Sequence, residues 1–449
     1  MPPRVRAVFA WGEGEDGQLG IATLVKNPED PDTEPHETCL CQPTWVPALQ
    51  EVELKVREFG RSPVAGGSRG SVAIGKEGEL YTWGWNKRGS LGLGHNECQY
   101  VPQKVAHLAH ERIVQAAVGG WHTVALSDKG SVYAWGGNEY NQCAINLDNR
   151  DVCQRDVCVP RPILPMLKVR HVAAGGMHSL ALTNNGELWA WGQPLCDFNN
   201  TQQRLPAPVA LPVGCKLTKI AAGAFHNLAL QEDGGVLAWG RNEYGSLGFG
   251  DVVFTSKPAY ITFFPEKGIK ITDVACGGWH STAITSEGDL YVWGRGEYGR
   301  LGLGDDCSSR IIPTLLRLPN SEQVAQVSCG GTHTLFLTRA KTVLTCGRGS
   351  FGRQANGEKK DCTTPRVVNF EGGPWDALSV SAGGRHSIVT VRVRRRGTSI
   401  CVDNKSPSQR HLVPFLSNDH LDAVGGYQDE EMEVPLAATE SVTRDSENE

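Results

Sequence analysis

Three kinds of residue in this 449-residue chain have the right chemistry for a reactive or ligand-holding site. The first is a set of six histidines, His122, His178, His226, His280, His333 and His386, whose imidazoles would ligate a metal or move protons if they converged. The second is a set of loops, Gly12-Glu13-Gly14-Glu15-Asp16-Gly17, Gly294 to Gly299 and Gly347 to Gly352, that match the G-x-G-x-x-G pattern of a dinucleotide site. The third is cysteine, 14 in all, with Cys39 and Cys41, and Cys153 and Cys158, as close pairs of the kind a zinc ion would use. Spacing argues against each chemistry. Neither cysteine pair has the two-residue gap of a zinc knuckle. A dinucleotide loop must open a helix whose N-terminus holds the pyrophosphate, whereas Leu-Gly or its remnant follows here, and the first loop would set Glu15 and Asp16 against the phosphate.

The histidines belong to a repeat, which must be recognised before any residue is read alone. His122 to Trp135, His178 to Trp191, His226 to Trp239, His280 to Trp293 and His333 to Cys346 all span 13 positions. Gly70 stands 13 positions before Trp83, so that copy has lost its histidine. A seventh opens at Gly383-Gly384-Arg385-His386 with no Trp-Gly after it, while Val8-Phe9-Ala10-Trp11-Gly12 has no histidine before it. A unit split between the termini predicts a closed ring of seven units, because closure removes the open edge of a linear stack. Equivalent positions around a ring cannot converge. The histidines are therefore expected to be structural, each bonding neighbouring backbone across its turn, and Trp11, Trp83, Trp135, Trp191, Trp239 and Trp293 to fill the core.

Each unit reads as four short strands. Around His280, Thr272 to Gly278 approaches the histidine, His280 to Ile284 alternates, and Glu287-Gly288-Asp289 turns into Leu290-Tyr291-Val292-Trp293 as a hairpin. The segment at Pro313 suits an outer strand. Trp-Gly steps recur at intervals of 72, 52, 56, 48, 54 and 53, so length varies in the connections; the largest insertion, Thr23 to Arg61, reads as a surface loop, and Asn146 to Val159 is a second.

Composition sets further limits. The net charge of −5 gives no general field for polyanions, which makes direct nucleic-acid binding unexpected. No run of eighteen apolar residues is present and the start lacks a signal-peptide core, so no membrane association is expected and a cytoplasmic or nuclear protein is. Cys276 and Cys329 stand where other copies have Ala174 and Ala222, which reads as small buried residues in a reducing compartment. No cofactor, metal or catalytic residue is expected. Val389 to Arg396 alternates as a last strand, with nuclear import as the other reading of its arginines. Periodicity stops at Thr398, and Tyr427 to Glu449 holds eight acidic residues against Arg444, so residues 1–397 are expected as an all-β propeller and 398–449 as a disordered acidic tail.

Gly119-Gly120-Trp121-His122-Thr123-Val124-Ala125-Leu126, then Tyr133-Ala134-Trp135-Gly136, and Gly245-Ser246-Leu247-Gly248 after Trp239-Gly240, resemble the regulator of chromosome condensation repeat over roughly residues 5 to 393. The resemblance implies a seven-bladed β-propeller. One branch of that family is a guanine-nucleotide exchange factor for a Ran-type small GTPase with a basic N-terminal tail; only Arg4 and Arg6 stand before residue 7 here. Another is the plant ultraviolet-B photoreceptor, with Gly-Trp-Arg-His-Thr; the place of its tryptophan is held by Gly120, Gly176, Ala224, Gly278, Gly331 and Gly384. Glu433-Val434-Pro435 resembles the acidic Val-Pro peptide by which that receptor's tail docks on a ubiquitin ligase.

The loops after Trp-Gly remain as candidate protein-binding surface, with Lys87, Arg88, Glu139, Tyr140, Glu243, Tyr244, Arg295, Glu297, Tyr298 and Arg300. Equally, those tyrosines would pack on the next blade. The reading is a non-catalytic scaffold for protein partners, with nucleotide exchange on a small GTPase and an ultraviolet-B response role as its alternatives.

Overall fold

A computed structural model describes residues 6–22, 38–55, 61–145, 156–193, 206–304 and 306–394. Glycine turns and alternating runs of about six residues cut this length into short antiparallel strands, which assemble into seven four-stranded sheets. The inner strands, Val64–Gly66, Ile113–Val118, Val169–Ala174, Leu217–Ala222, Ile271–Cys276, Val324–Cys329 and Trp375–Ala382, touch one another in cyclic order around a channel. Blades one to seven are counted from Val64.

Blade seven closes the ring. Arg6–Glu13 pairs with His386–Val393 on one edge, Gly12 opposite His386 and Arg6 opposite Arg392, and with Cys39–Trp45 on the other. The expected split unit is thus formed, but one expectation needs correcting. The Thr23 to Arg61 insertion is not merely a surface loop: it supplies the outer strand Cys39–Trp45 and buries Cys39, Val46, Leu49 and Leu54. Once Trp11-Gly12 is recognised as a third strand, its sheet still lacks a fourth, and only this insertion follows in the chain.

Middle strands are buried on both faces because each blade is covered by two neighbours; all six residues of His280–Thr285 are inaccessible. The histidines bind differently from expectation. Their partner is not neighbouring backbone but the side chain that follows the histidine in the next blade: His122 Nε2 lies 2.8 Å from Ser179 Oγ, His226 2.8 Å from Ser281, His280 2.9 Å from Thr334, His333 2.9 Å from Ser387 and His386 2.8 Å from Ser71. These hydroxyls send their own protons onward, Ser281 to the Ser246 carbonyl at 2.8 Å and Thr334 to the Arg300 carbonyl at 2.7 Å. A hydroxyl that donates to a carbonyl must accept from the imidazole, so Nε2 carries the hydrogen. The same carbonyl takes the indole N–H, 2.9 Å from Trp293 to Ser246, 2.8 Å from Trp135 to Ser90, which also accepts from Thr123, and 2.9 Å from Trp83 to Gln18, which also accepts from Ser71. In blade four Asn227 replaces the hydroxyl, turning its amide nitrogen to His178 Nε2 at 2.7 Å and its oxygen to Trp239 Nε1 at 3.1 Å.

This relay explains the glycines before each histidine. A Cβ on Gly277 would stand 2.4 Å from His280 Cε1 and 2.6 Å from the Gly330 carbonyl oxygen, so no other residue fits beneath the imidazole. At the rim, Pro43, Pro102, Pro160, Pro206, Pro258, Pro313 and Pro365 each precede the residue paired with the one before the blade's Trp or Cys346, where the outer strand bulges or ends. Proline cannot donate to a further strand, so every sheet edge is blunted at the same place.

Burial holds the imidazoles neutral, with His122, His226 and His386 at about 3 and His178 at about 4. Folded values below the unfolded value of about 6.5 mean that the unfolded chain takes up these protons first, so the stabilisation is complete above pH 6.5 and is lost as pH falls toward 3, at about 1.4 kcal/mol per pH unit for each group. Thermal midpoints should therefore be flat above pH 7 and fall steeply between pH 6.5 and 5, and H226Q should make that slope shallower. Gly70 lacks a side chain where other blades hold an imidazole, and Val118 fills part of that place: a Cβ on Gly67 would stand 2.2 Å from Val118 Cγ1, and the void left beside Leu91 and Thr123 is only about 10 Å³. Gly70→His should therefore overpack the site and lower stability by about 1–3 kcal/mol, read as a lower urea midpoint at unchanged slope.

Candidate protein-binding face

Pairing of His280 with Gly294 places the loop before each histidine and the loop after each Trp-Gly at the same end of a blade. In the second loop a glycine with φ near 100°, such as Gly294, turns the chain where an added Cβ would lie 2.5 Å from the Trp279 carbonyl oxygen. The side chain five places after Trp then reaches the next blade. Asp16 of blade seven meets Arg69 at 2.6 Å, Arg88 of blade one lies 4.8 Å from the Trp121 ring centre, and Tyr244 of blade four meets Trp279 at 5.3 Å and Arg295 at 4.5 Å. Tyr298 of blade five takes Arg348 at 4.5 Å, and Phe351 of blade six takes Arg385 at 5.1 Å. One positional rule thus builds five junctions from different residues.

Contacts within and between blades extend the pattern. Arg241 covers Phe225 at 5.3 Å, Phe225 stacks on Trp279 at 4.4 Å, and Arg69 lies 5.9 Å from Trp85. Guanidinium over an aromatic face is worth about 0.5–1 kcal/mol at an exposed site and leaves the N–H edges available to an acceptor. Carboxylates set the guanidinium positions: Arg88 to Glu139 at 2.8 Å and to Asp156 at 3.6 Å, Arg295 to Glu297, and Arg385 to the buried Glu13 at 3.0 Å. Burial raises the Asp16 carboxyl despite the opposing Arg69, and likewise Asp156 despite Arg88.

Of the candidates read from sequence, Lys87 and Glu243 are exposed, and Arg88, Glu139, Tyr140, Tyr244, Arg295, Glu297 and Tyr298 are half-buried on this end. Arg300 is a correction. It is 1% exposed, donating from Nε to the Glu297 carbonyl at 3.0 Å, because the turn after Tyr298 folds it beneath the ring instead of outward. Arg353 of the next blade is buried in the same way, 2.9 Å from the Ser350 carbonyl. Burial first, and then neighbouring arginines, lower Arg300 to about 10 and Arg353 to about 9. Sequence reading missed Arg69, Phe225, Arg241, Arg348, Phe351 and Arg385 as parts of this surface. Their signal was available, since they occupy the residue before His and the residues two and five after Trp-Gly's tryptophan position. The tail residues Glu433, Val434 and Pro435 lie outside the described residues.

The three G-x-G-x-x-G loops open no helix; the second and third form three-residue turns, Glu297–Gly299 and Ser350–Gly352. Among the described residues no group of three His, Cys, Asp or Glu is placed to hold a metal, and no helix is long and apolar enough to cross a membrane. Arg392 and Arg394 pair with Asp376 at 3.7 and 2.7 Å, and His386–Val393 is a strand.

The RCC1-like domain model matches residues 7–389. The ultraviolet-B receptor UVR8 of Arabidopsis thaliana is 32% identical over 391 residues, covering 84% of this chain and 80% of that protein. The regulator of chromosome condensation of Mus musculus is 29% identical over 414 residues, covering 86% and 90%. Among solved structures, human WBSCR16 aligns with a TM-score of 0.74 at 24% identity, covering 87% of this chain and 100% of the other. Prp20p of Saccharomyces cerevisiae aligns at 0.73 and 23% identity, covering 88% and 93%.

The depth of Arg300 gives a direct check. Arg300→Ala removes packing beneath Tyr298 and several hydrogen bonds, and should destabilise by about 2–3 kcal/mol, whereas exposed Lys87→Ala should stay within about 0.5 kcal/mol in urea unfolding.

Proposed function

Since the chain belongs to the RCC1-like domain family, we propose that it is a non-catalytic propeller scaffold that binds a protein partner through the arginine and aromatic end of the ring. The observation that carries this reading is the junction rule: each accessible arginine there is held against a ring or a carboxylate across or within a blade. Binding would then order few side chains, which lowers the entropic cost of association. Tyr, Trp and Arg are also the residue types that dominate interface energetics. The protein is read as an interaction module and not as a hydrolase or oxidoreductase, because the six repeat histidines are spent on inter-blade bonds.

A narrower reading within the same class is nucleotide exchange on a Ran-type GTPase, favoured by the 29% identical regulator of chromosome condensation spanning 90% of that protein. An ultraviolet-B role draws on the likeness to UVR8, but the residues two places before the histidines, Gly120, Gly278 and Gly331 among them, lack its tryptophans.

Charge reversal distinguishes these outcomes. Triple substitution R241E, R295E and R348E should abolish recovery of the protein's native-cell partners while leaving the thermal midpoint within a few degrees, and K76E with K129E on the other end should leave recovery intact. Unchanged recovery with the triple variant overturns the proposal. In parallel, release of a fluorescent nucleotide from a Ran-type GTPase accelerated by the wild type and not by the triple variant would identify the partner class.

A further inference from the structure

Each inner strand begins at the end of the channel opposite the arginine face, and most carry a one-residue bulge there, as at Val169/His171, Leu217/Lys219 and Ile271/Asp273. The bulge brings His171, Lys219 and Asp273, from three consecutive blades, into one cavity of about 590 Å³. Thr218, Thr272, Thr285 and Arg339 also line it. That volume suits a small ligand, not a folded partner.

The charge of the cavity is its unusual property. In a protein of net charge −5, Lys219 and Arg339 line it against the single carboxylate Asp273. One more cation stands behind: Arg170 donates to the Leu217 carbonyl. A carbonyl satisfies a guanidinium N–H without cancelling its charge. Arg170 Nε is buried with no hydrogen-bond acceptor among the described residues. Burial and then Lys219, Arg61 and Arg170 hold the His171 imidazole at about 3, with no carboxylate offsetting them. Asp273 is ion-paired with Lys219 and also accepts the Val274 N–H at 2.8 Å, so it is anchored by its own backbone and competes for the lysine.

We propose that this end of the channel is a binding site for a compact phosphate polyanion, contacted by Lys219 and Arg339, with Asp273 as the internal competitor that the ligand displaces from Lys219. The cations converge from separate blades, so the site exists only in the closed ring. It lies at the other end from the protein-binding face and stands or falls apart from that reading.

Calorimetric titration with pyrophosphate at physiological salt tests it. Wild type should bind saturably; K219Q and R339Q should each weaken binding about tenfold or more, the loss of one charged hydrogen bond. D273N should tighten binding, because it removes the competing charge and keeps the acceptor for Val274. The double variant K219Q/D273N leaves no unpaired charge, so it should keep the wild-type thermal midpoint and still bind weakly. Perturbation of the His171 imidazole resonances on titration places the ligand in the channel. A parallel arm with vesicles carrying phosphoinositide headgroups separates a lipid source from a soluble one. No saturable binding in wild type or D273N, or binding indifferent to K219Q and R339Q, overturns the proposal.

Discussion

The hydrogen bond from a buried imidazole to the next blade's hydroxyl is the constraint from which most of the structure follows. It runs in one direction around the ring, from His226 to Ser281, from His280 to Thr334 and from His333 to Ser387. Ser281 and Thr334 pass their protons to a backbone carbonyl of the preceding blade, and the indole N–H of Trp293 shares the acceptor of Ser281. A blade therefore cannot shift relative to its neighbour without breaking a linked set of buried bonds, and each unmade partner would cost about 1–3 kcal/mol. The glycine beneath each imidazole, the tryptophan above the shared carbonyl and the neutral state of the ring are consequences of fitting this relay between two sheets.

The relay also governs the arginine face. Because it fixes the start of the second strand against the end of the third, the two loops at that end emerge side by side in every blade. The residue five places after Trp then meets whatever the next blade presents, giving an ion pair at Asp16 and Arg69, a ring pair at Tyr244 and Trp279, and cation over ring at Phe351 and Arg385. Geometry is constant while chemistry varies.

The ring, its seven sectors and its closure were legible in the sequence because they depend on spacing. Thirteen residues from His to Trp is the hairpin itself, and a Trp-Gly without a histidine at one end complements a histidine without a Trp-Gly at the other. What was hidden depends on contacts between copies. Repeat spacing says nothing about which atom of the next blade an imidazole reaches, so the hydroxyl partner was mistaken for backbone. It also gives no depth, so Arg300 read as surface when its turn folds it inward. The outer strand Cys39–Trp45 was missed because outer strands carry proline and weak alternation, and because an insertion precedes it. The channel cavity had no signature at all, since His171, Lys219 and Asp273 are unlike residues at one position of three blades.

The pairing of Arg6–Glu13 with His386–Val393 has a consequence for biosynthesis. Glu13 and its partner Arg385 are 372 positions apart, so at about 5–20 residues per second the first strand waits roughly 20–75 s for its sheet to be translated. During that interval Phe9 and Trp11 leave the ribosome with no surface to cover them. The nascent chain is thus a natural client for holding factors, and its folding yield should be governed by how long this leading segment is kept from aggregating.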